Sequence, residues 1–294
     1  MNWNSIVCRI GAAANHACSL NFHPSASGNV SLRVPNHFHE PQGSKSNQVT
    51  TYSGPWVPLD GTPLPAIGGL HFIVSASGSQ LKHVASRPDQ TLGVIELNDA
   101  GTAYKKIWGF ARGEGKPTSE LDTHLRTHAA VADTRNAGAV VHCHPPEIGA
   151  MMIAGLLKSS EDATRCAWQA ATEGSVYLAG GVRVIPWCVP GTLDMGMKTA
   201  AEFQKGADVV LWDLHGALAV APDIETAYGK IETFEHCMLT LARAISVTAA
   251  NGTTPRFLAM QQLGELADAF RGRVPEANPE LWNALADASE PALV

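Results

Sequence analysis

The sequence is short of charge. Lys, Arg, Asp and Glu make up 16% of its 294 residues, against roughly 25% in an average soluble domain. Such a deficit points to surface withdrawn from water, in a large core or in contacts between subunits. The charges present sum to a formal net of −6. That is not the basic excess a nucleic-acid backbone selects, so no nucleic-acid partner is expected. A small phosphorylated ligand needs only a local site and remains open. No apolar run approaches the ~18 residues of a membrane span, and no membrane partner is expected either. The opening MNWNSIVCRIGAA has neither the basic start nor the continuous apolar stretch of a secretory signal. The cysteines (Cys8, Cys18, Cys143, Cys166, Cys188, Cys237) include no C-x-x-C pair. That usage fits a reducing compartment better than a disulfide framework, so a cytoplasmic protein is expected. Internal repeats and low-complexity tracts are also missing.

What is present is a chain long enough to bury a sizeable core. Ile6, Ile10, Ala14 and Ala17 recur at helical spacing over residues 4–20. NVSLRV (29–34) alternates, which puts Asn29, Ser31 and Arg33 on one face of a strand. Residues 36–66 are rich in Pro, Gly, Ser and Asn and read as a long loop. HFIVSAS, TLGVIEL and YKKIWGF read as strands, as do AGAVVHCH, GGVRVIPW and DVVLWDLHG. TSELDTHLRTHAAVA reads as a helix capped at Thr118 or Ser119. Residues 223–246 carry the clearest helical periodicity, with Asp223 as N-cap. A further helix is expected over 258–271. No stretch reads as a linker, so a single domain over 1–294 is expected. The element order is not a regular strand–helix alternation. It predicts an α/β fold with a largely antiparallel or mixed sheet carrying helices.

Four stretches carry candidate chemistry. In VVHCHPPE, His142 and His144 are two apart. On a strand both imidazoles point to one side and Cys143 to the other, so both rings can converge on one ion. The plainer reading is a hydrogen-bonded histidine pair at a sheet edge. His37 and His39 repeat the H-x-H spacing, but in the Pro/Gly-rich loop without strand context, and the plainer reading holds there. A catalytic zinc usually takes three protein ligands and keeps a fourth position open. His215, in VVLWDLHG at the end of an apolar strand, is a candidate third ligand. In PTSELDTHLRTH, Ser119 and Glu120 open a helix. A carboxylate there is held charged by the helix dipole and needs burial to become a base near neutral pH. His124 and His128, four apart on that helix, read as helix-face residues more readily than as a metal pair. SGNVSL (27–32) and SASGS (75–79) are small polar turns beside strands, whose N–H groups are able to cradle a phosphate.

In this order, GNVSLR, SASG, PTSE, HCH and LHG resemble the class II aldolase/adducin family. The stretches TLGVIELNDAGTAYKKIWGF, EGSVYLAGGVRVIPWCVPGT and GKIETFEHCMLTLARA extend the likeness from the first helix to about residue 250. The stretch from about residue 255 is a less closely matched extension. The resemblance implies an αβα layered fold with a central, mostly antiparallel sheet covered by helices. It implies a zinc-dependent aldehyde-lyase, with another divalent metal as the alternative. The reaction implied is reversible cleavage of a ketose 1-phosphate, most closely L-rhamnulose 1-phosphate, to dihydroxyacetone phosphate and L-lactaldehyde through a metal-stabilised enediolate. Matched residue by residue, His142, His144 and His215 stand at the zinc-ligand positions. Glu120 stands at the catalytic acid/base position, and Glu173, in EGS, at a second acidic position near the aldehyde end. Gly28, Asn29, Ser77, Gly78 and Ser119 match positions lining the phosphate and substrate pocket. The implied assembly is a homotetramer with active sites at subunit interfaces. Ala76 stands in SASG where glycine is usual.

Other readings share the fold, a metal-dependent decarboxylase or dehydratase among them. A pentulose-5-phosphate 4-epimerase would use the same metal for retro-aldol cleavage and re-addition, and other sugar-phosphate aldolases would differ in the aldehyde half. A non-catalytic adducin-like module would lack the histidine ligands, and here all three are present beside Glu120.

Overall fold

The computed structural model describes residues 3–34, 52–111, 114–272 and 276–287. His37, His39 and most of the 36–55 loop lie outside the described residues. In chain order the elements are α1 (Trp3–Ser19), β1 (Asn29–Val34), β2 (Val57–Pro58), β3 (His71–Ser75), α2 (Pro88–Thr91), β4 (Leu92–Leu97), β5 (Ala103–Gly109), α3 (Leu121–Val131) and β6 (Ala139–Cys143). They continue with α4 (Pro146–Ile153), α5 (Ser160–Ala170), α6 (Thr172–Tyr177), β7 (Val182–Ile185), α7 (Leu193–Gln204), β8 (Val209–Trp212), β9 (Gly216–Ala221), α8 (Ile224–Asn251), α9 (Met260–Ala269) and α10 (Pro279–Asp287). The described chain is a mixed sheet with helices, the α/β class expected. Strand β7 pairs with β8 in parallel, while β1–β3, β1–β6, β2–β5, β3–β4, β4–β5 and β8–β9 are antiparallel.

Two compact units can be distinguished. One comprises residues 1–143, 188–201 and 220–228. Its strands run β2-β5-β4-β3-β1-β6, all antiparallel. The β1–β6 register sets Asn29 opposite His142 and Ser31 opposite Val140. Residues directly opposite in such a pair share a sheet face, so Asn29, Ser31 and the His142 side chain look the same way. Helix α3 covers this face. Its Leu121 and Leu125, one turn apart, join Phe72, Val74, Ile95 and Phe110 in an apolar cluster. That burial, about 1.5–3 kcal/mol per large side chain, fixes α3 to the sheet and sets the height of its polar residues above β1.

The other unit comprises residues 144–187, 202–219 and 229–294. Here β7 pairs with β8 in parallel and β8 with β9 as an antiparallel hairpin. Helix α5 packs on β7 and carries α6 and α10. Thr164 Oγ1 donates to Val182 O at 2.9 Å, and Trp168 Nε1 donates to Leu178 O at 2.8 Å. Arg183 grips Glu280 with two nitrogens at 3.1 and 2.9 Å, tying α10 to β7.

Two local expectations change. Helix α3 begins at Leu121, and its N-cap position is Glu120 rather than Thr118 or Ser119. Thr118 is held back because its N–H donates to Ser75 O at 2.9 Å, which binds it to the end of β3. The expected strand DVVLWDLHG (208–216) also stops at Trp212, short of its histidine. The chain folds at Asp213–His215 into the hairpin β8–β9, with Leu214 in the left-handed region at φ +53.

Candidate active site

Strand β6 delivers His142, which is 1% exposed, and ends one residue before His144. His144 is therefore placed by two residues of continuous backbone rather than by the strand ladder. Beyond it the prolines Pro145 and Pro146 start α4, whose first N–H groups at Glu147 and Ile148 donate to the Glu235 carboxylate, both at 2.9 Å. His215 sits in the β8–β9 turn, where its N–H donates to Trp212 O at 2.9 Å. Its ring lies 5.0 Å from the Trp212 ring and 5.2 Å from that of His144, centroid to centroid. Each of His142, His144 and His215 offers one ring nitrogen, and these nitrogens lie within 4.8 Å of one another. Ligands at zinc–nitrogen distances of about 2.0–2.1 Å in tetrahedral array are about 3.3 Å apart, inside that bound. Burial lowers the pKa of His215, which favours the neutral imidazole that coordinates. The buried Cys143 between the two histidines is not part of the group. The donor set therefore fits one divalent ion of the borderline class.

Beside the histidines stands Glu120. Its Oε2 is 3.7 Å from His142 Nε2 and accepts from Asn29 Nδ2 at 2.7 Å. The carboxyl is 5% exposed. Burial raises its pKa, and the Asn29 hydrogen bond works against that rise.

The polar turns adjoin this corner. Gly28, at φ +73, has no room for a side chain, since a Cβ would stand 2.3 Å from His23 Nδ1 and 2.7 Å from His142 O. The turn is anchored by His23, whose Nδ1 is 3.1 Å from Ser27 O and whose Nε2 is 2.8 Å from the Tyr228 hydroxyl. Ser77 and Gly78 are exposed, and a Cβ on Gly78 would meet open space. Their turn is joined to the one bearing exposed Ser119 through the Ala76–Pro117 bridge. Glu173 lies apart from these turns in sequence, exposed in the first turn of α6.

Sequence reading took His124 and His128 as helix-face residues and gave Ser31 no role beyond its place on a strand face. Both histidines are buried, and both ring edges meet the Ser31 hydroxyl, at 2.7 and 2.8 Å. They are therefore polar residues on the helix face that meets the sheet. The available signal was the pairing of two periodicities: polar residues every second position on β1 and every fourth on α3.

The sequence profile described as the class II aldolase and adducin N-terminal domain matches residues 8–241. The chain belongs to that family. It is 31% identical over 231 residues to the rhamnulose-1-phosphate aldolase of Escherichia coli K12, a match covering 78% of this chain and 81% of that protein. Among solved structures it is similar to a sugar-phosphate aldolase from Thermotoga maritima, with TM-score 0.67 and 25% identity, covering 85% of this chain and 97% of that one. The L-fuculose-1-phosphate aldolase of Thermus thermophilus shares the fold, with TM-score 0.52 and 19% identity, covering 84% and 98% of the two chains. Class II aldolases are metal-dependent lyases, and this chain is an enzyme of that class. Among the described residues the three-histidine group is the place that fits a metal.

Proposed function

We propose that the protein is a zinc-dependent aldolase that reversibly cleaves L-rhamnulose 1-phosphate to dihydroxyacetone phosphate and L-lactaldehyde. The observation carrying this reading is the convergence of three imidazole nitrogens with Glu120 at the edge of the group. The similarity to curated rhamnulose-1-phosphate aldolases supports the choice of sugar.

In this reading His142, His144 and His215 hold the ion. When bound, it supplies a Lewis acid for the negative charge that carbon–carbon cleavage leaves on the ketose fragment. Neutral imidazoles leave its charge undiminished, which thiolates would not. Glu120 moves the proton to and from the reacting carbon. Its burial brings its pKa toward the working range of a general acid/base. Asn29 holds Glu120 Oε2 and so aims the carboxyl. The turns carrying Gly28, Ser77, Gly78 and Ser119 bind the phosphate end. Binding energy at that unreactive end orients the reactive one. Glu173 serves the aldehyde end. The enzyme acts in the cytoplasm as one domain. It assembles as a homotetramer with sites at subunit interfaces, a reading supported by large exposed apolar side chains such as Ile153 and Leu214.

The test is release of dihydroxyacetone phosphate from L-rhamnulose 1-phosphate before chelation, after it, and after zinc is restored. Activity lost and then recovered is the expected result. No release by zinc-loaded protein rejects this sugar. Epimerisation of a pentulose 5-phosphate without triose release would transfer the site to the epimerase reaction.

A further inference from the structure

Behind Glu120 runs a continuous line of buried polar groups. His128 Nε2 is 2.8 Å from Ser31 Oγ, which is 2.7 Å from His124 Nδ1. His124 Nε2 is 2.5 Å from Asn29 Oδ1, and Asn29 Nδ2 donates to Glu120 Oε2 at 2.7 Å. Ser31 and His124 are 0% exposed, His128 3%, Glu120 5% and Asn29 7%, so water does not compete for these bonds. Each group has limited capacity. A carboxylate only accepts, so the Asn29 amide must present N–H to Glu120 and its oxygen to His124. That oxygen needs a donor, so His124 carries its proton on Nε2 and accepts at Nδ1. The Ser31 hydroxyl has one hydrogen, which goes to His124 Nδ1, and it must therefore accept from a proton on His128 Nε2. Every bond points toward Glu120.

We propose that His128, Ser31, His124 and Asn29 form a single directional relay that positions the Glu120 carboxylate, with His124, Ser31 and His128 as positioning residues that never touch substrate. The proposal rests on the aldolase reading for what Glu120 does, but not for whether the chain exists. Its elements are a strand and a helix fixed by their own cores, so the relay is preorganised before substrate arrives. Burial also holds His124 and His128 neutral, lowering the first to about 3. Each ring therefore carries a single proton through the neutral range, and the relay keeps its polarity while Glu120 is ionised. Reversed polarity is coherent only with a protonated Glu120 and the Asn29 amide rotated by half a turn.

Two readouts decide this. The first uses protein labelled with 15N-histidine, its nitrogen shifts assigned with His124→Phe and His128→Phe variants, with zinc added and after chelation. The expected result is Nε2–H at both histidines at neutral pH. An Nδ1–H tautomer or a charged ring at His124 overturns the proposal. The second is exchange of the hydroxymethyl proton of dihydroxyacetone phosphate into deuterated water, with metal content and Tm measured alongside. His124→Phe, and the milder Ser31→Ala should the first fail to fold, are expected to slow exchange by roughly 10–100-fold with unchanged zinc content and KM. His124→Gln, which keeps a donor toward Asn29 Oδ1, should recover most of the rate. Equal rates in His124→Gln and His124→Phe would overturn the relay. If the wild-type enzyme neither exchanges this proton nor cleaves a ketose 1-phosphate, the aldolase reading fails. The tautomers then judge the relay alone, Nε2–H supporting it and any other state rejecting it.

Discussion

Acid should unfold this protein through His23. That ring is buried and joins the turn before Asn29 to Tyr228 on α8. Desolvation lowers its pKa from 6.5 to about 4, against a smaller opposing contribution from Ser27 O. A base whose pKa is depressed on folding is protonated first in the unfolded chain. The stability it supplies is complete above pH 6.5 and is lost as pH falls toward 4. Between pH 7.5 and 5.0 the unfolded histidine passes through about 1.4 log units of protonation while folded His23 stays neutral. At 1.36 kcal/mol per unit this costs about 2 kcal/mol. His124, lowered to about 3, adds a similar amount with the same sign. Glu120, Asp122 and Glu235, raised by burial, pull the other way. A variant isolates the His23 share. Urea unfolding of chelated wild type and chelated His23→Gln is compared at pH 7.5 and 5.0, so the metal ligands cancel. The wild type should lose about 2 kcal/mol more than the variant over that interval. Equal losses would refute the reasoning, because His23 would then titrate alike in the folded and unfolded states.

Three further outcomes follow from the site. Glu120→Gln keeps the shape and the metal but removes the base, and kcat should fall by ~10²–10⁴-fold with zinc content unchanged; an unaltered kcat makes Glu120 only a helix-start residue. His215→Ala should lose zinc and turnover together, and full metal content measured by emission spectroscopy would remove His215 from the ligand set. Gly28→Ala forces a side chain into φ +73 and onto His23 and the His142 carbonyl. Left-handed backbone costs about 1–2 kcal/mol and overpacking about 1–3 more, so the urea midpoint should drop sharply; an unchanged midpoint would mean that the turn relaxes freely.

Strands β1, β3, β4 and β6 were legible because each buries apolar residues in a short run bounded by turn residues, while β5, where Trp108 is the buried apolar side chain, was legible from its turn-bounded extended run. Helix α8 was legible because its apolar period runs unbroken for many turns, and Asp223 does cap it, accepting from Thr226 N–H at 2.8 Å. Strand β9 was hidden. GALAVA is buried at every position, so it shows no alternation, and its turn at Asp213–His215 has no glycine in the left-handed position. Helices α5 and α10 escaped although each begins at a local cap, Ser159 accepting from Asp162 N–H at 3.1 Å and Asn278 from Leu281 N–H at 3.2 Å. The start of α3 was misplaced because a backbone bond from Thr118 to β3, rather than a side-chain cap, decides where the helix begins.

The sequence by itself determined the family, through motifs whose order is specific, and the kind of chemistry, through three imidazoles and one carboxylate. Residue identity fixes which groups donate, accept or bind metal, and that is written in the chain. The tertiary structure decided which of those groups meet. His215 reaches His144 only because the chain reverses at Leu214. Glu120 is raised in pKa only by burial, where Leu121 and Leu125 hold the start of α3 against apolar residues of β3 and β4. His124 and His128 are an ordinary pair of helix residues until the register of β1 brings Ser31 between them. Distance and dielectric belong to the packed state, and they turned a list of polar residues into a site.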